Sequence, residues 1–578
     1  MNCKIQMNYP MSYSTSLLLL ASVFSLTQAF AIAPVTHTDF DYVGDISIGG
    51  SRQYVNRSEL LERVASSSTA FLDWGLLNLR FNQISLVMDG TQRRIFYSIG
   101  SGYEKETNFS AMVSFNAGLG YEIGFDNGSI VENNTIYDFG DMTYKSRVSI
   151  QIYKDGIAEL DYSLIFSNLP VIAIKATKIT DEPKRPGAFR LTSYEYGQDT
   201  GNRNMGIEYR GNTAQRYPKK PYGIEFTKSS ALNLTRKIQL LNMRKDDDWI
   251  LDASYRDTSF MRNLVSHDLW RDMERFAFID GSGNEHGQPS IKGVLTEVIQ
   301  NNQYQGIYLL EEAKTDRKLL DLSKIDVPVD AFGTRHWNQV DFSLPGNNSV
   351  LYYAQSNQAS LKYPDTVSRD FKQVYPKATD TEHFGPLQEL VNFVVNTSDD
   401  EFVSNIDGWV NIDNIVDFWL FVGITQSNDT LKKNYFLARN EDQKFFMVPW
   451  DFDATFGMQW NGRKNEGTSW WDVSLNHLIK RLYELPSTGF TRKVKSRWGE
   501  LRTTLFSENA IMVRFEAYNA QLRPILGNTK NAFERNAIRW PDSGGKGVDT
   551  PEVGRIDYIR SWLQRRIAFL ERKISHFL

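Results

Sequence analysis

Four polar residues punctuate an otherwise apolar stretch. In SNDTLKKNYFLARNEDQKFFMVPWDFDATFG, residues 427–457, Asp429, Asn434, Asp451 and Asp453 stand at the ends of segments rich in Phe, Tyr, Leu and Val. Carboxylates and an amide carbonyl are the oxygen donors that a hard divalent cation such as Mg²⁺ takes, completed by water or phosphate oxygens. NYFLAR and KFFMVPW each read as a strand, and NEDQK between them has turn composition. If the two pair as a hairpin with its loop at Glu441 to Lys444, Asn434 falls opposite Asp451, with the two Cβ atoms about 5 Å apart. An amide oxygen and a carboxylate so placed could share one cation. The plainer reading makes Asp429 a turn cap and DFD a polar strand end.

Asp429 precedes Asn434 by five positions. That is the D-x-x-x-x-N spacing of the protein-kinase catalytic loop, where the Asp accepts the proton of the acceptor hydroxyl and the Asn holds a metal ion. A second Asp at the end of an apolar strand then follows in kinases, and Asp451 has that position. The flanking letters differ, because no His-Arg precedes Asp429 and Asp453 stands where a kinase has the Gly of D-F-G. DFD also reads as the D-x-D of a nucleotide-sugar transferase, which would release UDP rather than ADP.

Such residues need a scaffold, and the chain is long enough for several domains at 578 residues. A 41% hydrophobic and 13% aromatic content argues for packed cores rather than disorder. A net charge of −4 gives no broad electrostatic footprint for nucleic acid. The N-terminus carries Lys4, an apolar run SLLLLASVFSLTQAFA and a small-x-small site at Ala29-Phe30-Ala31. Residues 1–31 are therefore expected to be a secretory signal peptide, leaving no transmembrane segment after cleavage. Cys3, the single cysteine, falls in that leader, so a mature chain would have neither a disulfide nor a thiol nucleophile. Sequons at Asn56, Asn108, Asn233 and Asn428 would be glycosylated if the host is eukaryotic, and a glycan on Asn428 would obstruct Asp429.

Residues 35–165 read as a β-rich domain, an antiparallel sheet or sandwich. SRVSIQIY and IAELDYSLIF carry β-branched and aromatic residues, and KDG between them suits a tight hairpin. After a Pro/Lys-rich connection near residue 183, strands and helices mix. IKGVLTEVIQNNQYQGIYLLEEA reads as strand, NN turn, strand. TSFMRNLVSHDLWRDMERF reads as a helix capped by Asp257 or Thr258. PLQELVNFVVN, NIDNIVDFWLFVGITQ and the C-terminal RIDYIRSWLQRRIAFLERKISHFL also read as helices.

Five ordered blocks within residues 168–578 then resemble the spore coat protein CotH kinase family. They are EYRGNTAQRYPKKPYGIEF, DDDWILDASYRDTSFMRN, YQGIYLLEE, NDTLKKNYFLA and VPWDFDATFG, with LPVIAIKA opening the domain. The resemblance implies an α+β chain in which an atypical protein-kinase-like domain follows the β-rich one. It implies a secreted enzyme, extracellular, at the cell surface or periplasmic, that uses ATP with Mg²⁺ or Mn²⁺ to phosphorylate Ser or Thr of an exported or surface protein. Asp429 would be the catalytic Asp, Asn434 and Asp451 the metal ligands and Asp453 a further one. Arg210, Gly211, Asn212, Lys219 and Lys220 would lie near the phosphates. Lys220 is a candidate for the usual strand-lysine role, with Lys219 as the alternative. Glu311 would lie on the strand entering the nucleotide hinge, or form an ion pair. Arg262 would pair with a site carboxylate or with its own helix face. The competing reading keeps the fold as a surface binding protein without chemistry.

Overall fold

The computed structural model describes residues 45–48, 51–54, 77–101, 107–126, 128–142, 148–273, 287–313, 315–344, 346–440, 444–469, 472–524, 530–544 and 550–577. The expected leader at 1–31 and the Asn56 sequon lie outside the described residues. The chain divides into residues 1–68 and residues 69–578. In the first unit, Asp45–Ile48 pairs antiparallel with Ser51–Tyr54. The second unit holds all that follows, and its architecture is α+β. Among the described residues no helix is long and apolar enough to cross a membrane.

From Leu77 to Ser167 two sheets enclose one core. Thr135–Met142, Thr107–Ser114, Arg80–Phe81 and Ile84–Ser85 form the smaller sheet. Val87–Asp89, Arg94–Ser98, Ile157–Ser167, Val148–Lys154, Tyr121–Phe125 and Ser129–Val131 form the larger. Phe81, Tyr97, Phe109, Phe125, Ile150 and Phe166 fill the space between them. The KDG turn forms as read: Lys154 pairs with Ile157, and Asp155 and Gly156 take φ of 50° and 77°, the left-handed pair that a two-residue hairpin requires. One pairing departs from the antiparallel expectation. Arg94–Ser98 runs parallel to Ile157–Ser167, because the chain between them crosses through both sheets.

The next sheet closes on itself. Val171–Ala176 pairs on one side with Gly293–Gln300 and on the other with Arg185–Ser193. Gln303–Glu312, Asp248–Asp252, Tyr222–Phe226 and Arg203–Tyr209 complete the ring. Its interior takes alternate residues such as Ile174, Phe189, Met205, Ile224, Trp249, Leu251 and Tyr308. The opposite face of Gln303–Glu312 carries Ile307 and Leu309 into a second, largely helical core. Glu311 shares that outward face by the same alternation. The NN turn is again tight, Asn301 and Asn302 having φ of 50° and 59°.

The helical core holds the helices Arg262–Met273, Gly385–Asn396, Ile412–Thr425, Phe490–Thr503, Glu508–Leu522 and Ile556–Ile574. A four-stranded antiparallel sheet lies against it, in the order Phe371–Tyr375, Val350–Ala354, Tyr435–Arg439, Phe445–Pro449. Tyr435, Leu437 and Met447 face the helices. Phe436, Phe446 and Val448 face a smaller cluster with Leu320 and Leu322. Both faces are covered, so the two strands read as unbroken apolar runs rather than alternating ones.

Candidate active site

The hairpin of Tyr435–Arg439 and Phe445–Pro449 delivers the residues singled out above, with one correction. Tyr435 pairs with Pro449 and Arg439 with Phe445, so the loop runs from Asn440 to Lys444 and Asn434 lies opposite Trp450, not Asp451. The Trp450 amide donates to the Asn434 carbonyl at 2.9 Å, the last rung of the ladder. The side chains of Asn434 and Asp451 nevertheless meet, Asn434 Nδ2 donating to Asp451 Oδ2 at 3.2 Å. Both residues leave their strands with left-handed φ, 57° and 65°. That backbone swings the two side chains to a common side in spite of the one-residue slip. Two non-glycine residues held there carry strain that the surrounding fold must hold in place.

Asp429 lies on a single helical turn, Asn428–Leu431, five residues before Asn434. Its carboxylate is open to solvent and each oxygen takes one lysine: Lys433 Nζ at 3.2 Å from Oδ2 and Lys432 Nζ at 3.9 Å from Oδ1. The charge of Lys433 also acts on Asp451. Lys433 thus pairs with the expected proton acceptor and adds positive charge near the expected metal-binding residue. The side chain of Asn428 lies outside the described residues.

Several acidic groups crowd this end of the hairpin. Asp451 is exposed to solvent along one side but otherwise enclosed by protein. Its pKa is raised by burial and by Asp252, with Asp429 adding to the rise and Arg210 and Lys433 opposing it. Asp453 is pushed well up by burial, then by Asp451, Asp252 and Asp257. Glu311 is buried and likewise pushed well up, by burial and then Asp252, while Arg210 and Asn263 oppose the shift. Asn263 couples two of the elements: its Nδ2 donates to Glu311 Oε1 at 2.6 Å and its Oδ1 accepts the Phe452 amide at 3.2 Å. Arg210, half-buried at the end of Arg203–Tyr209, is the cation whose charge reaches Glu311, Asp451 and Tyr353 alike.

A family model described as CotH kinase protein matches residues 207–570. The chain belongs to the CotH kinase protein family. It is 24% identical over 350 residues to the inner spore coat protein H of Bacillus subtilis (strain 168), a span covering 59% of this chain and 83% of that protein. The matched region starts at Ile207, so the CotH model omits the barrel strands Val171–Ala176 and Arg185–Ser193, which the resemblance in sequence had included.

The RGNTAQRYPKK loop of the CotH region divides its residues. Gly211 and Asn212 are exposed, and Gly211 has φ of 82°. Gln215 pins the loop, its Nε2 donating to the Gly211 carbonyl at 2.7 Å and to Asp181 Oδ1 at 2.8 Å. Lys220 donates to the Gln215 carbonyl at 2.6 Å. It braces the loop from behind. Lys219 is a correction: it does not reach toward a ligand. It is fully buried, with Nζ bonded to the carbonyls of Ala253 and Ile307 and to Asn536 Oδ1. The ammonium lies 4.5 Å and 4.9 Å from the ring centroids of Tyr308 and Phe260. Burial pulls its pKa well down, with Asp252 opposing. Arg262 resolves to the structural alternative. It pairs with Asp257 at 2.6 Å and donates to the carbonyls of Thr455, Phe456 and Val553, anchoring the segment after DFD.

Three residues at the site were not singled out from the sequence: Asp252, Tyr353 and Lys433. Asp252 ends the apolar strand WILD just as Asp451 ends FFMVPW, and the same logic would have found it. Lys433 lay within the spacing motif itself. Tyr353 carried no local signal. Its hydroxyl donates to Asn434 Oδ1 at 3.2 Å.

The donor set fits a hard cation. Asp451, Asp453 and the Asn434 amide supply oxygens only. Among the described residues no three carboxylate or imidazole groups form a ligand cluster by themselves. A few protein oxygens completed by phosphates and water are what Mg²⁺ ordinarily takes. Rotating the Asn434 amide by half a turn would present Oδ1 toward Asp451 and let Nδ2 donate to the Tyr353 hydroxyl, which accepts as readily as it donates.

Proposed function

We propose that this protein is an exported, metal-dependent phosphotransferase that moves the γ-phosphoryl group of ATP to a Ser or Thr hydroxyl of an exported or surface protein. One observation carries the reading: Asn434 and Asp451 meet at 3.2 Å, and the Asp429 carboxylate, paired with Lys433, is close enough to act electrostatically on Asp451. Asp429 takes the proton of the acceptor hydroxyl as attack develops. Arg210 and Lys433 place positive charge beside the carboxylates, where the phosphates of a nucleotide would lie. Asn434, Asp451 and Asp453 hold the Mg²⁺ or Mn²⁺. A divalent ion there supplies charge neutralisation, which phosphoryl transfer needs more than covalent assistance. Membership of the CotH kinase protein family supports the reaction class, and the spore-coat name of the Bacillus relative supports a surface location.

The test is transfer of ³²P from γ-labelled ATP to candidate acceptors, with and without Mg²⁺ or Mn²⁺. Wild type is compared with Asp429→Asn and Asp451→Asn. Labelling that requires the metal and disappears in both variants is the expected result. Equal labelling in all three proteins rejects the assignment. No labelling of any acceptor, with no thermal stabilisation by ATP and metal, favours a binding protein on the same fold.

A further inference from the structure

The helix Arg262–Met273 sets two neighbouring side chains on the segment that carries the acids. Arg262 takes the carbonyls of Thr455 and Phe456, just past DFD. Asn263 takes the amide of the residue between the two Asp: Phe452 N–H donates to Asn263 Oδ1 at 3.2 Å. The ring of Phe452 is sealed in the core, 4.7 Å from the His267 ring and 5.2 Å from that of Phe421. Ring packing fixes where Phe452 sits. The hydrogen bond fixes how the peptide plane between Asp451 and Phe452 is turned, and so the backbone frame from which the Asp451 and Asp453 side chains project. Asp451 needs that support, since its φ of 65° is one that few residues with a Cβ adopt unaided.

The other end of the same amide lies on the barrel. Asn263 Nδ2 donates to Glu311 Oε1 at 2.6 Å, and Glu311 is only 2% exposed. The two ends are not interchangeable. A backbone N–H can only donate, so Oδ1 must face Phe452 and Nδ2 is left for Glu311. Helix and strand are pressed together at this point. Glu311 lies opposite Gly293 on the next strand, and a Cβ there would come within 2.6 Å of Leu264 Cδ2 and 3.1 Å of Glu311 Cγ. Asn263 therefore bonds at once to the turn that carries Asp451 and Asp453 and to the strand Gln303–Glu312, whose neighbour in the sheet ends in Asp252.

Resting on the phosphotransferase reading, we infer that Asn263 is a positioning residue for the metal-binding turn, acting through Phe452 and Glu311 to register Asp451 and Asp453 against the barrel. Loss of a group that orients metal ligands ordinarily costs about ten- to a hundredfold in metal affinity. An amide suits the place because it offers one acceptor and one donor from a single branch. Leu has nearly its shape and neither function. Asp at 263 with Gln at 311 rebuilds both bonds at the same total charge, the Gln amide now donating to the Asp carboxylate.

The experiment compares the full-length wild type, Asn263→Leu, Asn263→Ala and the exchanged pair Asn263→Asp with Glu311→Gln. Mn²⁺ is titrated by calorimetry in the absence of acceptor, well below each melting temperature, so that loss of folded protein does not enter. Deuterium exchange of the Phe452 amide is followed without metal. Both single variants are expected to weaken Mn²⁺ binding about thirtyfold and to speed exchange at Phe452 about tenfold, and the exchanged pair to return both to within about threefold of wild type. A lowered melting temperature with Mn²⁺ affinity unchanged makes Asn263 a packing residue and overturns the role. Weakened binding with Phe452 exchange unaltered, or weakening that the exchanged pair leaves in place, overturns it too, because the effect then does not run through these two bonds. So does a wild type that takes up no Mn²⁺. ³²P transfer is read separately. If Mn²⁺ affinity follows the expected pattern and wild type transfers no phosphoryl group, the phosphotransferase reading falls and Asn263 keeps its role. If wild type transfers with metal and the Asn263 variants match it in every assay, the positioning role alone falls.

Discussion

Two charged clusters in the same unit are built in opposite ways. Around Lys219 and Arg262 each polar side chain is enclosed and hydrogen-bonded, Arg262 with a carboxylate partner and Lys219 with neutral acceptors only. Lys219 gives its protons to two carbonyls and an amide oxygen, and Arg262 spreads over Asp257, Ser259 and three carbonyls. At the hairpin end, Glu311, Asp451 and Asp453 are pushed up by burial and by other carboxylates; Arg210 offsets part of that for Glu311 and Asp451, and Lys433 part of it for Asp451. Saturated hydrogen bonds from these two cations hold the barrel to the helical region. The excess of carboxylate suits a cationic ligand, and the fold tolerates it because the burial around it is secured elsewhere.

The sharpest break of this contrast comes from the acidic side. Asp429→Asn and Asp451→Asn should each lower phosphoryl transfer by about 10³-fold. The melting temperature of Asp451→Asn should hold or rise, since one of several mutually repelling carboxyls is gone. A variant that lost stability and activity together would place Asp451 among the saturated groups instead. On the other side, Lys219→Ala should cost about 3 kcal/mol in denaturant unfolding, because it strands the Ala253 and Ile307 carbonyls and leaves the Asn536 amide oxygen with the Ile307 amide alone. Transfer per folded molecule should change little. If stability were unchanged and transfer lost, Lys219 would belong to the chemistry after all.

How far the sequence spoke differs between these clusters for a physical reason. Local chemistry was legible. The Asp155-Gly156 and Asn301-Asn302 turns form as their residue types require, and the helices Gly385–Asn396, Ile412–Thr425 and Ile556–Ile574 follow their apolar spacing. The convergence of Asn434 and Asp451 was legible from a hairpin, but its register was one residue off, because nothing in Asn434 or Asp451 announces a left-handed backbone. Lys219 and Lys220 are neighbours of identical type with opposite fates, one sealed beneath the barrel and one bracing a loop. The Ala253 and Ile307 carbonyls and the approach of Asn536 from the C-terminal region decide that, and all are distant in sequence. Tyr353 reaches the site from a separate strand, so its role rests on a tertiary contact that spacing does not encode.

Tyr353 offers a finer cut. It is half-buried, its pKa is raised by burial and then by Asp451 with Arg210 opposing, and its hydroxyl fixes the Asn434 amide. Tyr353→Phe removes that tether and leaves the ring against Phe436, whose centroid is 4.9 Å away. Mn²⁺ affinity, followed by calorimetry in the absence of acceptor, should weaken about tenfold, as is usual when a partner of a ligand is lost. No change would mean that Asn434 holds its orientation through Asp451 alone.

His267 probes the saturated side where it lies directly beneath the site. Its ring contacts Phe452 and Trp450 at centroid distances of 4.7 and 5.5 Å, and Nδ1 is 2.5 Å from Ser290 Oγ. Burial lowers its pKa well below the ordinary 6.5, and Arg271 lowers it further. The folded state therefore keeps the imidazole neutral, while the unfolded chain takes up a proton as pH falls through about 6.5. The unfolded state binds more protons in that window, so stability is full above it and declines below it. One such group costs about 1 kcal/mol by pH 5.5. His267→Gln keeps a hydrogen-bonding partner for Ser290 and does not titrate. The difference in unfolding free energy between wild type and this variant should therefore fall by that amount between pH 7.5 and 5.5. A difference that stays flat across that range would show that His267 is not held neutral, and that the enclosure under Phe452 is looser than the contrast between the two clusters requires.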